Sequence, residues 1–119
     1  MSRNFPIVIH HNPGCGTSRN TLELIRRSGR EPQVNYYLET SWTRAKLEQL
    51  LAAMGKRPRD ILRTRGTPAE ELGLLKDGVS DEATLAAMTA HPVLVERPIV
   101  ETPKGMRLCR PAESVQDLL

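Results

Sequence analysis

The chain predicts an α/β fold: a mixed sheet flanked by helices, with a helical insertion in its middle. Three observations carry that prediction. An apolar run, Ile7-Val8-Ile9, leads into a Pro/Gly loop with a helical pattern directly after it. The middle of the chain spaces its apolar residues as helices do, with no strand pattern between them. Extended patterns return after His91-Pro92 and are divided by a turn.

Each element has a local reason. Residues 6–10 read as a short buried strand. Thr17 or Ser18 is placed to cap the helix that follows, Leu22 and Ile25 to line its inner face, and Gly29 to stop it. Gln33 to Leu38 alternates as a second strand, and the β-α-β order makes the two strands parallel. Leu47, Leu50, Leu51 and Met54 then fall at i, i+3, i+4 and i+7, ended by Gly55. Arg59 to Arg65 reads as a short helix, Thr67-Pro68-Ala69-Glu70 as a capping box, and Ser80 as the cap of a helix running to Ala90. Val93-Leu94-Val95, Arg97 to Val100 and Met106 to Cys109 read as extended, the last two joined by the turn Thr102-Pro103-Lys104-Gly105. Pro111 opens a final helix, Ala112 to Leu118. This order is that of a thioredoxin- or glutaredoxin-like fold. The expectation is one domain over 1–119, with the helical insertion at about 43–90.

Composition narrows the function. Aromatic residues make up only 3% of the 119 residues, so the core is aliphatic and no stacking platform for bases exists. The net charge is +3, but the arginines are scattered among acidic residues, which argues against nucleic acid and favours a small anionic substrate. No apolar run reaches membrane-spanning length, and Met1 to Phe5 lacks the core of a signal peptide; a cytoplasmic protein is expected, with no membrane partner. Cys15 and Cys109 are far apart and read as free thiols in a reducing compartment. The three histidines and two cysteines lack metal-ligand spacing, so no metal and no bound cofactor are expected.

The chemistry centres on His11-Asn12-Pro13-Gly14-Cys15-Gly16-Thr17-Ser18-Arg19. A strand, a tight loop, a cysteine and a helix place sulfur where unpaired N–H groups and the helix dipole favour negative charge. A free thiol has a pKa of about 8.5, which such sites lower to roughly 3.5–7.5. A shift of two units corresponds to about 2.7 kcal/mol. The same N–H groups suit an oxyanion. Position 18, where a C-x-x-C motif needs its second cysteine, is Ser18, so any redox cycle borrows its resolving thiol. A cysteine phosphatase needs an arginine six positions after the nucleophile, where this chain has Thr21. His11 either tunes the thiolate electrostatically or is a strand-end histidine bonded to backbone. Arg63, Arg97 and Arg110 stand at loop and strand-end positions that suit planar, forked anion donors. Cys109, next to Arg110 on an extended segment, points to the opposite face if Arg110 faces a substrate.

These residues resemble the glutaredoxin-linked arsenate reductases. The similarity runs along the whole chain: His11 to Leu22, Tyr37-Leu38-Glu39-Thr40, Glu70-Glu71-Leu72-Gly73-Leu74, Arg97-Pro98-Ile99-Val100 and Leu108-Cys109-Arg110-Pro111. The resemblance implies a thioredoxin-like fold with a cis peptide at Pro98. It implies that Cys15 attacks arsenate, that Arg63, Arg97 and Arg110 bind the oxyanion, and that His11 helps to keep the thiol ionised. It also implies glutathione as co-substrate and glutaredoxin as partner. Related proteins leave two alternatives: a thiol-dependent regulator that binds a protein such as RNA polymerase, and a general glutathione-linked thiol reductase.

Overall fold

The computed structural model describes residues 7–119, which divide into two compact units, 7–40 with 97–119, and 41–96. In the first unit, β1 (Val8–His10) leads through the loop to α1 (Gly16–Arg27), then β2 (Gln33–Asn35) and the single turn α2 (Tyr37–Thr40). After the second unit come β3 (Ile99–Thr102), β4 (Gly105–Leu108) and a 3-10 segment, Ala112–Leu118. The four strands form one mixed sheet in the order β2-β1-β3-β4. β1 and β2 are parallel, as the β-α-β order requires. β3 runs antiparallel to both β1 and β4, with Thr102 opposite Gly105 across the two-residue turn Pro103-Lys104.

One face of this sheet packs on α1 and the segment 112–118. Ile7, Ile9, Ile25, Val100, Cys109, Val115 and Leu118 form its buried cluster, with Leu22 and Leu24 partly buried at its margin. Gly29 adopts φ 89° after the C-cap Ser28 and bonds back to the Arg26 carbonyl, which ends α1 as expected. Both Arg97-Pro98 and Arg110-Pro111 are cis peptides. The first meets the implication of the resemblance; the second was not anticipated.

The second unit, Ser41–Glu96, holds α3 (Arg44–Met54) and α4 (Asp81–Ala90), capped by the hydroxyls of Thr43 and Ser80. α4 packs on α3 and on two 3-10 turns, Pro58–Ile61 and Pro92–Leu94. Leu47, Leu50, Leu51, Ile61, Leu85, Met88 and Leu94 are buried.

Several local expectations are corrected. Cys15 itself is the N-cap of α1, with Thr17 and Ser18 inside the helix. The second strand stops at Asn35, because Tyr37 and Leu38 turn into α2. Arg59 to Arg65 is not a helix: the 3-10 turn ends at Ile61 and Arg63 follows outside any helix or strand. Residues 67–78 are successive turns, and the Thr67 hydroxyl accepts from Ala69 N–H, so the capping box fails to start a helix. Val93-Leu94-Val95 is not a strand. Leu94 N–H bonds to the His91 carbonyl and Val95 N–H to that of Pro92, which closes a 3-10 turn; Val95 alone bridges, to Leu62. The final helix is 3-10, with Pro111 as its N-cap. Pro6 and the stretch Met1 to Phe5 lie outside the described residues. Among the described residues no helix is long and apolar enough to cross a membrane.

Cys109 is fully buried in the first unit's core, while Arg110 beside it is exposed. Burial pushes the Cys109 thiol up to about 11, so it stays protonated at neutral pH. Cys109 therefore acts as a small apolar side chain. A Cys109→Val protein keeps most of its catalytic activity. A Cys109→Ala protein does too, and unfolds with about 1–2 kcal/mol less stability in a denaturant titration. A Cys15–Cys109 disulfide found by mass spectrometry during turnover would contradict both results.

Candidate active site

The Asn12–Cys15 loop is built on one side chain. Asn12 Oδ1 accepts from Gly14 N–H at 2.8 Å, and its carbonyl accepts from Cys15 N–H at 3.0 Å. Glycine suits position 14 because a Cβ there would lie 3.3 Å from Asn12 Oδ1. Arg19 braces the loop from α1, donating to the Pro13 carbonyl at 2.8 Å. These contacts deliver Cys15 in extended conformation (φ −104°, ψ 122°) to the first turn of a twelve-residue helix.

The sulfur is half-buried and faces three sources of positive potential. Burial raises its pKa. The Ser18 backbone N–H, the Arg97 and Arg110 guanidinium groups and the Arg97 charge act the other way, and together they hold the thiol below its ordinary value. The thiol makes no side-chain cap hydrogen bond of good geometry, yet the Ser18 N–H faces it closely enough to favour the thiolate. Arg110 Nη1 lies 3.9 Å from Cys15 Sγ and donates to the Arg97 carbonyl at 2.9 Å, so the Arg97 backbone helps to seat the Arg110 guanidinium.

Arg97 is the side chain best placed to take an anion. Its Nε and Nη1 are buried and have no hydrogen-bond partner. Buried donors left unpaired cost about 1–3 kcal/mol or more each, so they mark a place where something else binds. A forked guanidinium beside a thiolate suits a tetrahedral oxyanion.

Cys15, His11, Arg97 and Arg110 all lie in the first unit. Arg63 lies in the second, where Nε donates to the Arg65 carbonyl at 3.1 Å and Nη1 to Glu96 Oε1 at 2.9 Å. His11 is buried, with Tyr36 against its ring edge. Its Nδ1 pairs with the Ser18 hydroxyl at 2.7 Å, so its ring partner is a side chain and not backbone. Burial and the nearby Arg26 and Arg19 charges lower its pKa below 6.5, leaving a neutral imidazole at neutral pH.

Sequence reasoning passed over two groups. Ser18 reads in the sequence as a candidate helix cap and as the place of an absent second cysteine, not as a partner of His11. His10 was assigned nothing. Its Nε2 lies 2.5 Å from Glu101 Oε2 and its Nδ1 2.9 Å from the Asn35 amide, a polar link across three strands. A titratable residue closing a buried apolar strand was the available signal. Among the described residues no cluster of histidine, cysteine and carboxylate suits a metal.

Titrating Cys15 by alkylation against pH gives a midpoint below the usual thiol value of about 8.5. The sign follows from the charge: thiolate reactivity persists as pH falls and is lost only through the lowered pKa. An ordinary midpoint would remove the activated thiolate from the mechanism.

A mixed four-stranded sheet with a lowered-pKa cysteine capping its first helix defines a thioredoxin-like thiol protein. Within that class, the chain belongs to the ArsC family, whose model matches residues 10–118. It is 57% identical over 113 residues to an arsenate reductase of Yersinia enterocolitica, covering 95% of this chain and 80% of that protein. It is 54% identical over 113 residues to the arsenate reductase of Escherichia coli K12, with the same coverage of 95% and 80%. The solved structure of an arsenate reductase from Vibrio cholerae superposes with a TM-score of 0.91 at 41% identity, covering 98% of this chain and 100% of that one.

Proposed function

We propose that this chain reduces arsenate to arsenite with glutathione and glutaredoxin. The observation that carries the reading is Arg97: two buried, unpartnered donors beside a thiol whose pKa is lowered. More than half identity to arsenate reductases over nearly the whole chain supports the choice of oxyanion.

In this reading arsenate docks against Arg97 and Arg110. The Cys15 thiolate attacks arsenic and forms an S–As bond, and one arsenate oxygen leaves as water after taking up protons. The guanidinium groups neutralise the oxyanion as the bond forms. His11 helps to maintain the ionised thiol. Glutathione then adds its sulfur to arsenic with loss of a second oxygen as water. A glutaredoxin thiolate attacks that glutathione sulfur and breaks the S–As bond. The electron pair of the broken bond stays on arsenic, which passes from As(V) to As(III). The two oxidised sulfurs leave as a glutathione–glutaredoxin mixed disulfide. Hydrolysis of the remaining Cys15–arsenic bond frees arsenite and restores the thiol. Ser18 in place of a second loop cysteine fits a cycle that takes its reducing thiols from outside, and the reducing cytoplasm is where such thiols are available.

Arsenite release, followed with arsenate, glutathione and glutaredoxin and with each omitted in turn, tests the reading. Full dependence on all three is expected. Turnover sustained by thioredoxin alone would overturn the borrowed-thiol cycle, and disulfide reduction without arsenite release would replace it with a general thiol reductase.

A further inference from the structure

One stripe of α1 borders an open groove. Asn20, Glu23, Leu24 and Arg27 follow one another at helical spacing and, with Glu113 of the 3-10 segment, line a groove of about 160 Å³. The stripe begins at Gly16, the exposed first residue of α1 next to Cys15. The facing wall starts at the sulfur too. Arg110 Nη1 stands 3.9 Å from Cys15 Sγ, and Glu113 follows three residues later on the segment that packs along α1. The groove thus leads away from the thiol along the helix. At 1.5 Å per residue, Asn20 lies about 8 Å and Glu23 about 12 Å along the axis from Cys15. Helical side chains lean toward the helix N-terminus, here toward the sulfur.

The chemistry of the groove is mixed. Arg27 Nη2 donates to Glu23 Oε2 at 2.6 Å, which draws the guanidinium one turn nearer the sulfur and leaves its other donors in solvent. The Asn20 amide and the Glu113 carboxylate are exposed and make no hydrogen bond or ion pair among the described residues. A carboxylate, a guanidinium and an amide spread along a groove suit an extended zwitterion. They do not suit arsenate, which the carboxylates repel.

We propose that this groove holds the γ-glutamyl end of glutathione while the glutathione sulfur is delivered to arsenic on Cys15. The proposal rests on the reading of glutathione as the co-substrate. Glu113 takes the α-ammonium, Arg27 the α-carboxylate beside it, and Asn20 the γ-glutamyl amide. The reach agrees, because roughly 10 Å separates sulfur from α-ammonium in the extended tripeptide.

The test compares glutathione with glutaryl-Cys-Gly, the same thiol without its α-ammonium, in arsenite release with glutaredoxin present. The wild-type protein prefers glutathione. Glu113→Gln reduces that preference about fivefold, the scale of an exposed charge pair. It does so through kcat/KM for glutathione, with the glutaryl analogue and the KM for arsenate unmoved. Any preference of glutaredoxin itself is common to both proteins and cancels in the ratio. Glu39→Gln, on an exposed carboxylate of α2, leaves the preference intact. A second readout needs no arsenate. Unreactive S-methylglutathione shifts the backbone amide resonances of the groove residues, and Glu113→Gln weakens its binding about fivefold. An unchanged preference in Glu113→Gln, an equal loss in Glu39→Gln, or amide shifts absent from the groove would each overturn the proposal. Wild-type protein that released no arsenite with any thiol would count against the proposed function, and groove shifts that persisted would leave the glutathione site standing.

Discussion

Cys15→Ser protein releases no arsenite above background in the assay with glutathione and glutaredoxin. The expected loss is at least about a thousandfold, the scale on which removing a nucleophile acts. Serine is nearly isosteric, so the loop and α1 persist and far-ultraviolet circular dichroism is unchanged. What changes is ionisation. The Ser18 N–H and the two guanidinium groups lower a thiol pKa enough to matter, whereas a hydroxyl starts too high for the same site to ionise it. A Cys15→Ser protein that still turned over would move the nucleophile elsewhere. Cys109 is a poor substitute, being fully buried with its thiol pushed up to about 11.

The second large effect is at Arg97. Arg97→Ala lowers arsenate kcat/KM by at least about tenfold, or 1.4 kcal/mol, and more than Arg110→Ala. Arg97 presents two buried donors with no other partner, while Arg110 is exposed and spends one donor on the Arg97 carbonyl. Arg97→Lys recovers only part of the loss, since one ammonium cannot reproduce the fork. Arg63→Ala is expected to cost at least about tenfold as well. Arg44→Ala is the control: its guanidinium is exposed and engaged with Glu48 and Glu82, and solvent screens it. Equal losses at all four positions would mean that diffuse positive charge, not a defined cradle, holds the anion.

Much of this was legible before any coordinates. The strand-loop-cysteine-helix order, the parallel β1–β2 pair, the caps at Thr43 and Ser80, the stop at Gly29 and the Thr102–Gly105 turn are written in neighbouring residues. Hydrogen bonds three residues apart decide the caps and the helix stop, so a short window holds their whole cause, while the parallel pair follows from the β-α-β order. The same locality explains the misreadings. Val93-Leu94-Val95 has the composition of a strand, but Pro92 and the His91 carbonyl bend it into a turn. Thr67-Pro68-Ala69-Glu70 has a helix start and no helix, because the turns through 78 bury Ala69 and Leu74 without one.

By itself, then, the sequence determined the fold class and the placement of a cysteine where a tight loop meets the first helix. These follow from residue type and spacing within a few positions of one another. Tertiary structure alone decided which donors face the sulfur. Arg110 reaches Cys15 across 95 residues of chain, and the Arg97 guanidinium stands close enough to the sulfur to favour its ionised form. It also decided that His11 meets Ser18 and is held neutral. Burial and the approach of distant charges set both outcomes, and neither quantity exists until the chain has folded.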